Sequence, residues 1–576
     1  MSRLPHKLAA LAVLVLLPLC LRAWPIDHGG AKNYVPDAHI VRAALGMAKD
    51  KDLVPPVGKY SHYPNFLPYM LLPAYAAQYA LGPWQDAREF GNHLLDHPED
   101  ARIVARWLIA LFGALTPLVA FRAARAMGLE RGAWIAAWLV ATGLLHVHFS
   151  VQERPWVPMT FFLVLAAWPA ALYTRDPRAR WLVLSGVAAG LSFACHQSGL
   201  PAIAIPAIAW LTSTLRWSGR ALATRLGHGV ACVAACLVAG VLLGHPYFLR
   251  YGIPTRDQVI MGDAVDEEGG FSVGGVSVLF DVRLESLARL SRAFVGYDLA
   301  IVILGVCGLW LALRRASTRP VAIFALGWSA FFLTNRSDHV RYLLPVAVLL
   351  VFPAGLLAER LLRSRAGTIA LVLLLAFPLV QAVRFDHVLS RTDTRGLVSQ
   401  TLRGLPSGVV VAIDRYGPDV ELDRASLHRL DRLRTSLGQS LYAREDRRRL
   451  ELDRGEIPAG DAGVNAVRVE EVLAFDERAR TLAVRAELRS LGADPTSALR
   501  ALGVTHFLLV DRRPGDERGP LTAPIVAGAT REVVVDPSSG SRTTDEAFLP
   551  TEMDFPLTGL WSVQRPGPWM ALYRLQ

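Results

Sequence analysis

Eleven apolar runs, each near the ~20 residues that a helix needs to cross a bilayer, constrain this chain more than any other feature. They fall at roughly 8–24, 104–121, 133–150, 157–174, 181–197, 200–215, 228–248, 295–313, 320–334, 342–358 and 367–385. The chain has 576 residues, of which 52% are hydrophobic and 19% charged. Soluble domains carry about 25% charged residues, so an ordinary soluble enzyme, a disordered regulator and a disulfide scaffold are excluded. The expected fold class is a polytopic α-helical membrane protein. The first run follows Arg3 and Lys7, as a signal peptide would. It lacks a small-residue cleavage site, and Arg22-Ala23-Trp24-Pro25 reads as an interfacial end.

Basic residues then set an expected orientation. The net charge is +11, and the only lysines are Lys7, Lys32, Lys49, Lys51 and Lys59. Arginines cluster beside the apolar runs, which suits a membrane better than nucleic acid. Alternate connections carry Arg3, Lys7; Arg122, Arg125, Arg131; Arg175, Arg178, Arg180; Arg216, Arg220, Arg225; Arg314, Arg315, Arg319; and Arg360, Arg363, Arg365. Only Glu130, Asp176 and Glu359 oppose them. Because Lys and Arg are retained on the cytoplasmic side, this set is expected inside, with the N-terminus, in the plasma membrane. Residues 25–103, 249–294 and the tail are then outside. The five cysteines (Cys20, Cys195, Cys232, Cys236, Cys307) lie in apolar runs without a CxxC pair, so neither a disulfide framework nor a zinc site is supported.

Two expected domains follow: a transmembrane domain over 1–386, whose first outer loop is 25–103, and a soluble domain over 387–576. The loop carries Tyr60-Ser61-His62-Tyr63-Pro64 and Leu67-Pro68-Tyr69, which suggest short interfacial helices. The tail alternates strand-like runs (Val409–Asp414, Thr505–Asp511, Trp569–Leu575) with helical ones, and Asp494-Pro495-Thr496-Ser497 is a helix start. It reads as a small extracytoplasmic α/β domain. No internal repeat of the transporter kind is evident.

Ionisable residues within spans are costly and signal function by default. Here they gather at the outer ends: Asp37 and His39; Glu153 and Arg154; His196 and Gln197; Asp298; Arg336, Asp338, His339 and Arg341. Each alone reads more simply as an interfacial anchor. Their shared sidedness points to one polar site on the outer face.

Four stretches carry a family resemblance: Pro36-Asp37 opening the first outer loop; Leu144–Ser150 followed by Val157-Pro158-Met159-Thr160-Phe161-Phe162; Gly186–Gly190 through Cys195-His196-Gln197-Ser198-Gly199; and His339-Val340-Arg341-Tyr342-Leu343-Leu344-Pro345. In order and sidedness, residues 5–390 resemble the GT-C membrane glycosyltransferases. The resembling branch, glycosyltransferase family 39-like, holds the protein O-mannosyltransferases and the lipid A aminoarabinose transferase. Arg565-Pro566-Gly567-Pro568 resembles bacterial members more weakly. This chain departs from the pattern at Ala38, where the family has a second acid, at Trp156, where it has an acid, and at His196, where it has a lysine.

The resemblance implies a hexosyl- or pentosyltransferase that uses a polyprenyl-phosphate-linked sugar donor. The acceptor would be a lipid, glycan or protein at the outer membrane surface, and nucleic acid is not an expected partner. A lipid phosphate leaves without protonation, so one carboxylate must take the acceptor hydroxyl's proton as the sugar inverts. Asp37 is the candidate base. The departing phosphate needs preorganised cations: Arg341 first, for its bidentate fork, then His196 and Lys59. Tyr60, Tyr63 and His39 complete the substrate-binding set, with Glu153 expected to replace the acid missing at Trp156. That substitution needs a helix starting near 152, so that 153 and 156 share a face. No cofactor is required, although Asp263, Asp266, Glu267 and Glu268 form an acidic loop that would suit a divalent metal if it is not simply solvated. The competing readings are a transporter or lipid flippase, which predicts polarity at mid-membrane, and a non-catalytic assembly protein.

Overall fold

The computed structural model describes residues 12–29, 39–60, 63–215, 217–252, 271–273, 276–278, 284–333, 340–415, 417–438, 463–476, 481–511, 522, 524–538 and 559–576. The chain divides into two compact units. The first comprises Met1–Ile26, Asp37–Trp84 and Asp100–Asp386, and the second Asp27–Pro36, Gln85–Glu99 and His387–Gln576. The first outer loop is thus shared between them rather than belonging wholly to the first.

The first unit is helical. Its elements are α1 (Leu17–Ala23), α2 (His39–Asp50), α3 (Phe66–Leu81), α4 (Pro98–Ala126), α5 (Arg131–Thr142), α6 (Leu144–Ser150), α7 (Trp156–Arg175), α8 (Ala179–Cys195), α9 (Ala204–Thr212), α10 (Gly219–Gly244), α11 (Leu284–Arg314), α12 (Arg319–Leu333), α13 (Leu344–Leu361) and α14 (Arg365–Leu389). Each apolar run is mostly helical over its described residues, though not always as one unbroken α-helix. Among the described residues six helices are long and apolar enough to cross a membrane, and a seventh span arises if α5 and α6, bent by 50°, count as one. The chain is a multi-pass membrane protein.

Three local expectations are corrected. The helix expected from about 152 begins at Trp156, because residues 151–155 form a turn closed by Arg154 N–H to Gln152 O at 2.8 Å. The run at 200–215 opens as a 3₁₀ segment, Gln197–Ile203, before α9. Arg22, read as an interfacial end, is fully buried.

The second unit carries a five-stranded mixed sheet. Its strands are numbered after the hairpin β1 (Phe271–Val273) and β2 (Val276–Val278) of the first unit: β3 (Val411–Ile413), β4 (Ala466–Arg468), β5 (Leu473–Asp476), β6 (Thr481–Val484), β7 (His506–Asp511), β8 (Thr530–Val535) and β9 (Trp569–Arg574). The order is β4-β3-β7-β9-β8, with β5 and β6 a separate pair. Strand β3 runs parallel to β4 and β7, while β9 is antiparallel to β7 and β8. The interior strand β3 is apolar on both faces, as a strand covered on two sides must be. Val411 and Ile413 pack with Leu508, Val510, Met570 and helices α15 (Thr394–Arg403) and α16 (Arg424–Ser436). Ala412 packs oppositely with Val467, Phe507 and Leu499 of α17 (Pro495–Ala501). Asp494 starts α17 by accepting the Ser497 N–H at 3.0 Å, the N-cap that satisfies one orphan donor. The result is a three-layer α/β arrangement with the exposed strand β8 at its edge.

Candidate active site

The first unit brings four of the expected residues into one continuous line of rings and cations. His39, the first residue of α2, meets Tyr63 edge-on at 5.6 Å between centroids. Tyr63 meets His196 at 5.2 Å, and His196 lies 4.4 Å from Trp156. Trp156 meets Tyr342 edge-on at 5.2 Å. The Arg341 guanidinium stands 5.9 Å from the Trp156 ring and 5.5 Å from that of Tyr342. Such aromatic pairs contribute about 0.5–1.5 kcal/mol beyond burial, and a ring face holds a guanidinium without neutralising it.

Each member is placed by a chain break. His196 caps α8 in extended conformation, and its Nδ1 accepts the Ser198 N–H at 3.0 Å. In the neutral ring this makes Nε2 the protonated nitrogen, a donor. Trp156 opens α7 directly after Pro155. Arg341 lies in the 3₁₀ turn Val340–Leu343 that leads into α13. Arg42 donates to His39 Nδ1 and, through Nε, to the Tyr60 carbonyl at 2.9 Å.

Lys59 and Tyr60 form a neighbouring group around Asp50. Lys59 Nζ lies 2.7 Å from Asp50, and the Tyr60 hydroxyl donates to the same carboxylate. The hydrogen bond from Lys59, then that from Tyr60, holds Asp50 below the ordinary carboxylate range, and the bond to Asp50 pushes Lys59 up. Lys59 is therefore engaged by a carboxylate. Tyr60 and Tyr63 line a small cavity of about 10 Å³ with Asn65 and Tyr247.

Glu153 is placed differently from expectation. It precedes α7 rather than sharing a face with Trp156, and it is fully buried in an ion pair with Arg106 Nε at 2.8 Å. Arg106 also donates to Ile26 O at 3.1 Å. The cation beside Glu153 is thus the protein's own. Asp37, Arg336, Asp338, His339 and the acidic loop Asp263, Asp266, Glu267 and Glu268 lie outside the described residues. Among the described residues no group of three or more His, Cys, Asp or Glu side chains is gathered as a metal would require.

The sequence reading does not single out Arg106 or the bridging part of Trp156. Arg106 had a signal: a basic residue on the outer end of a span runs against the expected charge bias. Trp156 had none, since rings beside spans are ordinary interfacial residues.

Residues 93–243, which contain Arg106, Glu153, Trp156 and His196, match the family described as dolichyl-phosphate-mannose-protein mannosyltransferase. That match covers residues 93–243 of the 576. Two solved structures are similar to the chain. One is ArnT from Cupriavidus metallidurans bound to undecaprenyl phosphate, at 18% identity and a TM-score of 0.47, covering 70% of this chain and 67% of that one. The other is the Archaeoglobus fulgidus oligosaccharyltransferase tethered with an acceptor peptide, at 14% identity and a TM-score of 0.42, covering 88% and 69%. No curated protein matches the chain in sequence.

Proposed function

We propose that this chain transfers a sugar, with inversion, from a polyprenyl-phosphate-linked donor to an acceptor hydroxyl at the outer face of the plasma membrane. The observation that supports this reading is the unbroken line His39–Tyr63–His196–Trp156–Arg341. It gathers a guanidinium and an imidazole on aromatic faces, next to the start of the first outer loop. Arg341 binds the donor phosphate and holds the charge that grows as the glycosidic bond breaks. His196 donates from Nε2 to the same group. Asp37, two residues before His39, takes the acceptor proton. Tyr60 and Tyr63 wall the acceptor side.

Two substitutions test the assignment in a transfer assay with membrane extracts, whose products are identified by mass spectrometry. Asp37→Asn keeps the shape but cannot accept a proton, and general bases contribute about 10²–10⁴-fold. A loss of at least 10²-fold with donor binding retained is expected, and a loss under tenfold places the base elsewhere. Arg341→Ala weakens donor affinity and turnover together, because the phosphate is bound before and after bond cleavage. Unchanged donor affinity makes Arg341 an interfacial anchor.

A further inference from the structure

The span formed by α5 and α6 breaks at Gly143, whose φ −57 and ψ 120 are not helical. A broken helix inside a membrane leaves carbonyls without partners on one side of the break and amides on the other. Most of the carbonyls can be followed here. The Leu139 carbonyl accepts the Gly143 N–H at 2.8 Å, and the Trp138 carbonyl accepts the Thr142 hydroxyl at 2.8 Å. The Val140 and Ala141 carbonyls both accept from the Arg22 guanidinium, at 3.3 and 3.2 Å. The same guanidinium reaches across the break to α6, donating to His146 Nδ1 at 2.7 Å and to Ser150 Oγ at 3.2 Å. A further bond to Pro18 O at 2.9 Å ties it to its own helix.

Two more helices close around this point. Asp298, where α11 itself kinks with φ −137 and ψ 54, buries its carboxylate beside the break, and a Cβ on Gly143 would fall 3.1 Å from its Oδ1. A cation thus caps the carbonyl end of α5, matching the local helix dipole. Asp386 of α14 is buried as well. On α4, a Cβ at Gly113 would fall 2.8 Å from Arg22 Nε and closer still to Ser150 Oγ, so only glycine admits the guanidinium there.

We propose that Arg22 is a positioning residue: its guanidinium clamps the two limbs of the broken span and so fixes where the chain emerges at Val151–Pro155 to start α7 with Trp156. In transporters, the ends of broken helices are left to coordinate substrate and ions. In this chain Arg22 occupies the carbonyl end and reaches both limbs, so the break serves geometry. The consequence for catalysis, through Trp156 and its contact with Arg341, rests on the transfer reading above; the clamp itself does not.

The test uses the full-length protein in detergent. With the five native cysteines replaced, Gln152→Cys places a thiol at a position that is fully buried two residues beyond α6. With Arg22 intact, maleimide labelling at this thiol is slow. Arg22→Met is expected to speed it at least tenfold, and Arg22→Lys, which keeps the charge but reaches fewer acceptors, less than threefold. A parallel variant that retains only native Cys232, buried on α10, reports global loosening and is expected to change less than twofold.

Unchanged shielding of the thiol at position 152 in Arg22→Met overturns the clamp, as does equal acceleration at Cys232. If Arg22→Met does not fold, Gly113→Ala decides, since it crowds the Arg22–Ser150 contact without removing either group; unchanged labelling there also overturns the clamp. In the transfer assay Arg22→Met is expected to keep less than a tenth of turnover and Arg22→Lys more than a third. Accelerated labelling with no transfer even in the unsubstituted protein refutes the transfer reading and leaves the clamp standing.

Discussion

Glu153 shows how much a side chain's meaning depends on its immediate partner. As one residue in a sequence it is an acid close to a missing acid, and the helical spacing to Trp156 suggests a replacement. In the fold the turn at 151–155 removes that spacing, and Arg106 takes the carboxylate at 2.8 Å, with both side chains buried. Removing one partner from such a pair strands the other charge, at a cost of about 3–5 kcal/mol. Glu153→Gln should therefore lower the thermal midpoint of the purified protein by several degrees, with turnover falling in step with folded fraction. Glu153→Leu combined with Arg106→Met should recover most of the midpoint, because the stranded charge is gone. A Glu153→Gln protein with full stability and lost donor affinity would return Glu153 to the donor site. At this scale the candidate residues were legible as types, while their partners were not. Nothing in the residues around position 106 announces a contact 47 positions away.

Among elements, the close pairing of α8 and α10 explains why small residues recur on α8. A Cβ at Gly186 would meet the Cys232 backbone, and one at Gly190 would lie 2.9 Å from the Ala239 Cβ and 3.0 Å from the Cys236 carbonyl carbon. Lipid gives helices no hydrophobic reason to associate, so glycines four apart supply the contact by letting backbones approach. Gly190→Val should push α10 away, costing about 1–3 kcal/mol of overpacking or more. Thermal unfolding followed by the thiol reactivity of Cys232 and Cys236 reads this directly, with both thiols reacting at lower temperature. Unaltered reactivity would mean that the two helices separate readily without loss. The glycine spacing was visible in sequence, where it helped carry the family resemblance. Its partner helix was not, since any apolar span presents a similar face. The α/β elements of the second unit were easier: β3, β7 and β9 lie within the runs read as strands, and Asp494 caps α17 where the Asp-Pro-Thr-Ser start places it. Strands and caps are specified by local periodicity and by one side chain's reach.

For the molecule as a whole, the expected orientation follows from seventeen basic residues against three acidic ones on alternate connections. In intact cells, with the native cysteines replaced, Arg424→Cys at the start of α16 should label with an impermeant maleimide. Arg220→Cys, near the start of α10, should stay protected until the membrane is opened. The reverse pattern would invert the topology and move the site to the cytoplasmic face. By itself the sequence determined that the chain is a membrane protein and roughly where its apolar helices run. These follow from length, hydropathy and charge, which any segment carries alone. Only the tertiary structure decided that Trp156 joins His196 to Arg341, that Arg106 claims Glu153, and that Arg22 is a buried clamp rather than an interfacial anchor. A guanidinium satisfied by carbonyls more than a hundred residues away has no local signature, because a burial cost is offset only when distant helices converge on it.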